Sequence, residues 1–410
     1  MKILVLAGEI PATTNMPGSP RLFSLCRGLA TRHDLHLATL SSSGERQQTF
    51  MTDPDVLKVF RRVSILPSPY SATRTWWSRQ RHRLHMGAFC ETRYLYPEYH
   101  RQIGETIRGL VAAESIDLVY VDGLTMTQYI DAGSAVPAVV DLHDSSTMLI
   151  SRMIKVEPSL KRKLLLSIER FGIAKWERAL HRVFALIITN SAVDEGYHRK
   201  MAPAAKTLTI GNGVDSAFFK PSGGTVHPER LVFTGVMNYA PNEDAVIYFC
   251  DEIFPAVRAR HPQAEFWIVG KDPTPKVQAL SLHPGVRVTG GVPDMRPYLE
   301  GAGVFVCPLR YGAGIKNKIL AALAMRKPVV ATPVSVDGLD LADDRDVLIS
   351  GDAAGFVAKI DHLLREPARG QRLAEAGQRL VAQRYSWDSN ARLLDEALDH
   401  AVAGAHEASE

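Results

Sequence analysis

Short apolar runs alternate with helix-length stretches along this chain, and that alternation limits its fold more than any other feature. Lys2 to Ala7, Leu35 to Leu40, Val63 to Pro67 and Asp117 to Asp122 are such runs. Ala138 to Asp144, Phe184 to Asn190 and Thr207 to Ile210 continue the series. Runs this short and this apolar suit strands covered on both faces. The pieces between them carry helical spacing, as in Pro20 to Thr31 with Leu22, Leu25, Cys26 and Leu29. Strand–helix alternation predicts a parallel, doubly wound sheet. Such sheets bind ligands beyond the carboxyl ends of their strands. In the first half this points to the loop Gly8 to Arg21, with Gly18 and Arg21, to Asp122–Gly123, and to His143–Ser145.

The alternation then restarts. Lys220 to Thr225 reads as a linker by its Pro, Gly and Ser content. Arg230 to Gly235, Ala264 to Gly270, Val286 to Val292 and Asp346 to Ile349 are strand-like, and Asn242 to Val257 reads as a helix capped by Asn242. The expectation is two doubly wound domains, residues 1–210 and 211–383, facing across a cleft, with 384–410 as a helix crossing back to the first.

One stretch of the second half carries the clearest chemistry. The apolar run Val304 to Cys307 leads into Pro308-Leu309-Arg310-Tyr311-Gly312-Ala313-Gly314-Ile315-Lys316-Asn317-Lys318 and then a helical segment ending before Arg326. Gly312 and Gly314 permit a sharp turn and close approach of a ligand to the backbone. The following helix aims free N–H groups and its positive dipole end at that turn. Lys316 and Lys318 add two charges, and the whole suits a phosphate or diphosphate. The plainer alternative is a Gly-rich turn with solvated lysines.

Composition excludes several classes. The formal net charge of +4 over 410 residues gives no argument for nucleic acid. Four cysteines, Cys26, Cys90, Cys250 and Cys307, lie far apart with no metal-ligand spacing, as expected of reduced thiols in a cytoplasmic protein. No apolar run is long enough to span a bilayer, and the apolar start is too short for a signal peptide, with Glu9 following at once.

With these residues in view, the chain resembles a family-4, GT-B type, retaining glycosyltransferase, most like the sugar transferases of exopolysaccharide clusters. The resemblance lies in Phe233 to Asn242, Phe266 to Gly270, Val288 to Asp294, Gly314 to Leu320 and Lys327 to Thr332, with Asn212-Gly213-Val214-Asp215 and Tyr385 to Asp388 in support. It implies a nucleotide-diphosphate sugar as donor substrate and a glycan or lipid-linked acceptor in polysaccharide biosynthesis, with no cofactor and no metal. It places Gly235, Asn238, Gly312, Gly314, Ile315, Lys316 and Lys318 around the donor diphosphate, and Gly270, Val292 and Asp294 near the nucleotide base. His143 and Asp144 would meet the sugar or acceptor as the catalytic pair; the alternative for them is a loop histidine and a helix-capping aspartate. Attack would occur on the face the leaving diphosphate departs from, with that diphosphate helping to take the acceptor proton.

There are departures. The family commonly carries two glutamates around the Gly-rich turn, where this chain has Ala313 and Ala321. The second grips the ribose of the nucleotide, and losing a buried charge-assisted hydrogen bond costs roughly 1.5–3 kcal/mol. A basic residue usual after the Phe-x-Gly strand is replaced by Met237-Asn238. A non-catalytic partner or regulator of another transferase, and a nucleotide-sugar epimerase of the same architecture, are the alternatives. Finally, Arg74 to Arg101 holds Trp76, Trp77, Arg79, Arg81, Arg83, Phe89, Tyr94 and Tyr96 with few acids, and Lys155 to Arg182 is also basic. Bases beside interfacial aromatics suit peripheral contact with an anionic membrane, at the inner face of the cell membrane; the alternative is a solvated helix face.

Overall fold

The computed structural model describes residues 1–11, 20–40, 44–66, 92–93, 96–134 and 136–407. Gly18, the Trp76–Trp77 pair and most of the basic stretch around them lie outside the described residues.

The chain forms two compact units, Met1–Gly211 with Trp387–Glu410, and Asn212–Ser386. In the first, seven parallel strands are β1 (Lys2–Ala7), β2 (Asp34–Leu40), β3 (Arg62–Leu66), β4 (Leu118–Asp122), β5 (Ala138–Asp141), β6 (Leu186–Thr189) and β7 (Thr207–Thr209). Their order is β3-β2-β1-β4-β5-β6-β7. The order reverses direction between β1 and β4, so a crevice opens there at the carboxyl ends. Ile3 to Ala7 and Leu118 to Val121 are buried, which is why these strands read as continuous apolar runs. The helix Trp387–Glu407 packs on the helix Arg21–Leu29 through Trp387, Ala391, Leu394 and Leu398. Gly28 lies under Ala391, where a Cβ would come 2.2 Å from the alanine's own.

The second unit repeats the plan with six parallel strands: β8 (His227–Thr234), β9 (Glu265–Val269), β10 (Val286–Gly290), β11 (Ala302–Cys307), β12 (Val329–Ala331) and β13 (Leu348–Ile349). The order is β10-β9-β8-β11-β12-β13, with the switch between β8 and β11. Gly235 follows β8 and the Gly-rich turn follows β11, so topology alone brings these two segments together.

Three local expectations change. The helix expected from Asn242 starts at Ala240, with Pro241 in its first turn, where a missing N–H costs nothing; the Asn242 side chain donates instead to the Val236 carbonyl at 2.9 Å. This helix does not run evenly to Val257. It widens into a π-turn over Phe249–Ile253, just before Pro255, whose ring and absent N–H disturb the ordinary ladder. Lys220 to Thr225 is tied down rather than loose: Glu300 accepts bonds from the Ser222 and Gly224 amides and the Ser222 hydroxyl. The Ser222 hydroxyl and the Gly224 amide hold that carboxyl down at about 2.

Candidate functional site

In the second unit the site is built on the ends of β8 and β11. β8 carries Phe233 and Thr234 up to Gly235, whose amide donates to the Val269 carbonyl of β9 at 3.1 Å. Gly270 sits directly beside it. A Cβ on Gly270 would fall 1.7 Å from the Gly235 carbonyl oxygen, so no other residue fits without moving a strand end. After β11 the chain turns through Gly312 and Gly314, the latter at φ +65°, into the helix Asn317–Ala324. Thr332 and Ser335 fix the turn's base: their hydroxyls donate to the carbonyls of Leu309 and Cys307, both at 2.6 Å.

Lys316 is buried and Lys318 half-buried, and both ammonium groups bond this chain. Lys316 is buried and its ammonium bonds the carbonyl of Gly314, folding back over the turn. Lys318 donates to Asn242 Oδ1 at 2.6 Å and stands 3.9 Å from the centre of the Phe233 ring. Its ammonium lies 3.0 Å from where a Gly235 Cβ would be. Burial lowers the Lys318 pKa and the neighbouring Lys316 lowers it further, while Cys307 opposes; the result is about 8. Two neighbouring cations, one buried and one half-buried, beside a turn with a helix start are an arrangement that could take an anion. Arg310 is engaged elsewhere, its Nε donating to Asp244 at 2.8 Å.

The other residues expected here divide. Asn238 is exposed in the turn after β8. Ile315, Ala313 and Ala321 are buried, and Ala321 belongs to the apolar core of this unit. Val292 packs against the same core beyond β10. Asp294 accepts from Arg296 Nε at 3.0 Å and its carboxyl is pulled down by that bond; the Arg296 guanidinium lies 4.0 Å from the centre of the Phe218 ring.

In the first unit, β4 and β5 end in register on two carboxylates, Asp122 opposite Asp141. Adjacent like charges need partners, and both have them. Arg21, 1% exposed, donates to Asp141 through Nε at 2.9 Å and to the Gly211 carbonyl at 3.1 Å. The Tyr120 hydroxyl and the His143 amide also bond Asp141, at 2.7 and 3.1 Å. His143 has φ +64°, a left-handed conformation that costs a non-glycine residue energy. That turn swings its Nε2 to 2.7 Å from Asp122 Oδ1. Burial alone would lower the His143 pKa, but Asp122 and then Asp141 outweigh it and raise it to about 9. The imidazole is therefore a cation at neutral pH, partly open to solvent.

Asp144 is half-buried next to it, its amide donating to the Leu142 carbonyl at 2.8 Å. Ser145 caps the helix Ser146–Val156. A carboxylate from farther along the chain completes that end: Glu177, buried, accepts from the Ser146 amide at 2.8 Å and the Ser145 hydroxyl at 3.2 Å. Burial raises its pKa. The alternative that Asp144 caps this helix does not hold, because Ser145 and Glu177 take that place.

Of the groups that matter, Asp141, Tyr120 and Glu177 were not singled out from sequence, and Asn242 and Phe233 were read only as a helix cap and as part of the resemblance. Asp122 and Asp141 did leave a signal, since each closes an otherwise apolar strand. Glu177 left none within its basic helix.

Among the described residues, His33, Asp395 and Asp399 lie close enough to share an ion. Arg32 already bonds both carboxylates and the Met1 amino group lies 3.2 Å from His33 Nδ1, so these side chains are satisfied by one another.

Residues 228–366 match the family model described as Glycosyl transferases group 1. The chain is similar to the putative teichuronic acid biosynthesis glycosyltransferase TuaC of Bacillus subtilis, 34% identical over 28% of this chain and 24% of that one. It is similar to the lipopolysaccharide core biosynthesis glycosyltransferase LpsE of Rhizobium meliloti, 30% identical over 31% of this chain and 39% of that one. The matches thus span about a quarter and about two fifths of those relatives. Among solved structures, sucrose-phosphate synthase from Thermosynechococcus elongatus superposes with a TM-score of 0.74 at 16% identity, covering 98% of this chain and 100% of that one. Alr3699/HepE of Anabaena, in complex with UDP-glucose, does so at 0.67 and 15% identity, with the same coverage.

Proposed function

We propose that this chain, a GT-B protein whose residues 228–366 form a group 1 glycosyltransferase domain, is a retaining transferase that moves a sugar from a nucleotide-diphosphate sugar to a glycan or lipid-linked acceptor in polysaccharide biosynthesis. The observation that carries this reading is the lysine pair at the β8/β11 switch point, Lys316 buried and Lys318 half-buried. Lys318, held by Asn242 over Phe233, and Lys316, folded over Gly312–Gly314, sit where a diphosphate would meet the turn and the start of the helix Asn317–Ala324. Their mutual repulsion and partial desolvation are relieved by a bound dianion. Gly235 and Gly270 leave no room for a Cβ, so the ends of β8 and β9 lie against each other with Asn242 and Lys318 packed over them. The match to named transferases of cell-surface polysaccharides supports the same class of product.

In this reading the diphosphate leaves against Lys316, Lys318 and the turn amides, so charge building on it is stabilised by groups fixed beforehand, without a metal. The departing diphosphate oxygen accepts the acceptor's proton, and attack occurs on the same face. His143, a cation braced by Asp122, and Asp144 contact sugar hydroxyls or the acceptor. Gly270, Val292 and Asp294 border the base, and Arg21 ties the start of the helix Arg21–Leu29 to Asp141. A lipid-linked acceptor would be met by peripheral contact; no helix among the described residues is long and apolar enough to cross a membrane.

The test is a panel of nucleotide sugars incubated with lipid-linked and soluble glycan acceptors, with release of nucleoside diphosphate and the anomeric configuration of the product followed by NMR. Turnover with retention supports the reading. Tight diphosphate binding without turnover on any pair favours the non-catalytic alternative, for which Ala321 in the apolar core is the argument.

A further inference from the structure

The helix Leu160–Ala179 is apolar on two opposite faces. Leu166 and Ile173 are buried in the first unit, with Glu177 beside them. On the far side Leu160, Leu164, Ile168 and Phe171 are 82%, 63%, 47% and 74% exposed. Their spacing of four, four and three residues puts them in one stripe along the helix. Isolated surface leucines need no explanation, but four in register on one helix do. Lys161 and Lys175 fall on the same exposed arc.

The neighbouring helices add to the charge. The helix Ser146–Val156 runs antiparallel to this one, as the bonds from Glu177 to its first turn require. Its Ser151, Arg152 and Lys155 line an open groove of about 470 Å³ with Tyr197 and Lys200 of the helix Ala192–Met201, and no acidic residue lines that groove. Lys155, Lys161, Lys175 and Lys200 make no salt bridge among the described residues. Of the nearby acids, Glu157 pairs with Arg162, Glu177 is buried against the start of the helix Ser146–Val156, and Glu169 is half-buried on the side of the helix away from the stripe, its pKa raised by burial.

We infer that the helix Leu160–Ala179 docks the first unit on an anionic lipid surface, its stripe Leu160/Leu164/Ile168/Phe171 entering the headgroup–acyl boundary while Lys161 and Lys175, with the groove of Arg152, Lys155 and Lys200, meet lipid phosphates. An in-plane amphipathic helix with bases beside its apolar face is built for this. Charge selects this occupant. A second copy of the chain would bring the same cations face to face, whereas an anionic bilayer neutralises them. The inference rests on the peripheral-membrane part of the proposed function but not on sugar transfer, and it places the contact on residues other than the Trp76–Trp77 stretch.

Flotation of the full chain with phosphatidylcholine vesicles, with and without phosphatidylglycerol, tests it. Binding is expected only to the anionic vesicles and is released by high salt. Lys161→Ala with Lys175→Ala should weaken it about 25-fold, roughly fivefold per base. Leu164→Ser with Phe171→Ser should abolish it at an unchanged melting temperature, since both side chains are exposed. Phe171→Trp should shift its emission to the blue on vesicle binding and be quenched by brominated lipid. Vesicle binding that survives the serine pair, an unshifted emission from the Phe171→Trp variant, or equal binding to neutral vesicles overturns the inference. So does a dimer in sedimentation that the serine pair dissolves, which would mean that a second copy covers the stripe. Turnover on a soluble acceptor should be untouched by the serine pair, and a transferase failure with vesicle binding intact would count against the activity alone.

Discussion

If Lys318 holds the donor diphosphate, as proposed, donor binding should weaken as pH rises through about 8. In the ligand-free protein its pKa is lowered from 10.5 to about 8, chiefly by burial and with Lys316 adding to it. That difference holds ~3 kcal/mol against the charged form. A diphosphate supplies the missing counter-charge and restores the ordinary pKa, so binding must draw in a proton wherever the free lysine has lost one. At pH 7 the lysine is already charged and almost none is taken up. At pH 9 about nine tenths of a proton enters per ligand bound, and the dissociation constant rises about tenfold from its pH 7 value, one decade per pH unit beyond the pKa. Calorimetry of UDP binding in buffers of different ionisation enthalpy measures the uptake directly. Lys318→Met should weaken binding at pH 7 and remove both the pH dependence and the proton uptake. Uridine, lacking phosphate, should show neither in the natural protein. Proton uptake that persists in Lys318→Met, or a flat affinity between pH 7 and 9, would refute the assignment of Lys318 to the diphosphate.

Other outcomes follow from particular contacts. Gly235→Ala should weaken diphosphate binding severalfold or more, since its Cβ would come 2.7 Å from Asn242 Nδ2 and 3.0 Å from the Lys318 ammonium; calorimetry with UDP reads it. Asp122→Asn should drop the His143 pKa from about 9, because only Asp141 then opposes burial, and a ¹⁵N NMR titration follows the ring. The raised His143 pKa stabilises the fold fully below its unfolded value, and this is lost as pH rises through about 9, so the natural protein should lose stability over that window and Asp122→Asn should lose less. Arg21→Met strands the buried Asp141 carboxylate and should cost ~3–5 kcal/mol in urea unfolding. Ala321→Glu should tighten donor binding if a carboxylate at that position can reach the ribose, and unchanged or weaker binding would favour the non-catalytic alternative.

What could be read from the residues follows from how each feature is encoded. Both sheets were legible because a parallel strand covered on two faces must be apolar throughout, as Ile3 to Ala7 and Val304 to Cys307 are. The Gly-rich turn was legible because a backbone turn and two lysines are local. Partners set by register were not. Asp122 and Asp141 meet only because β4 and β5 pair at that level, and Lys318 meets Asn242 only because β8 and β11 are neighbours. Asn242 read as a helix cap because capping is the commonest use of Asn before an apolar run, yet Pro241 had already started the helix. The lysines read equally well as solvated because sequence carries no measure of burial for a residue whose stem is apolar and whose tip is charged. Glu177 was invisible because its role depends on the antiparallel return of its helix onto Ser145 and Ser146.

The most direct test of the donor site compares UDP with uridine on the natural protein and on Lys316→Ala/Lys318→Ala. Charge-assisted contacts to phosphate are worth about 1.5–3 kcal/mol each, so the double variant should lose on the order of a hundredfold or more in affinity for UDP while its weaker affinity for uridine stays within about twofold. Equal losses for the two ligands would contradict the assignment of the Gly312–Lys318 turn to the donor diphosphate.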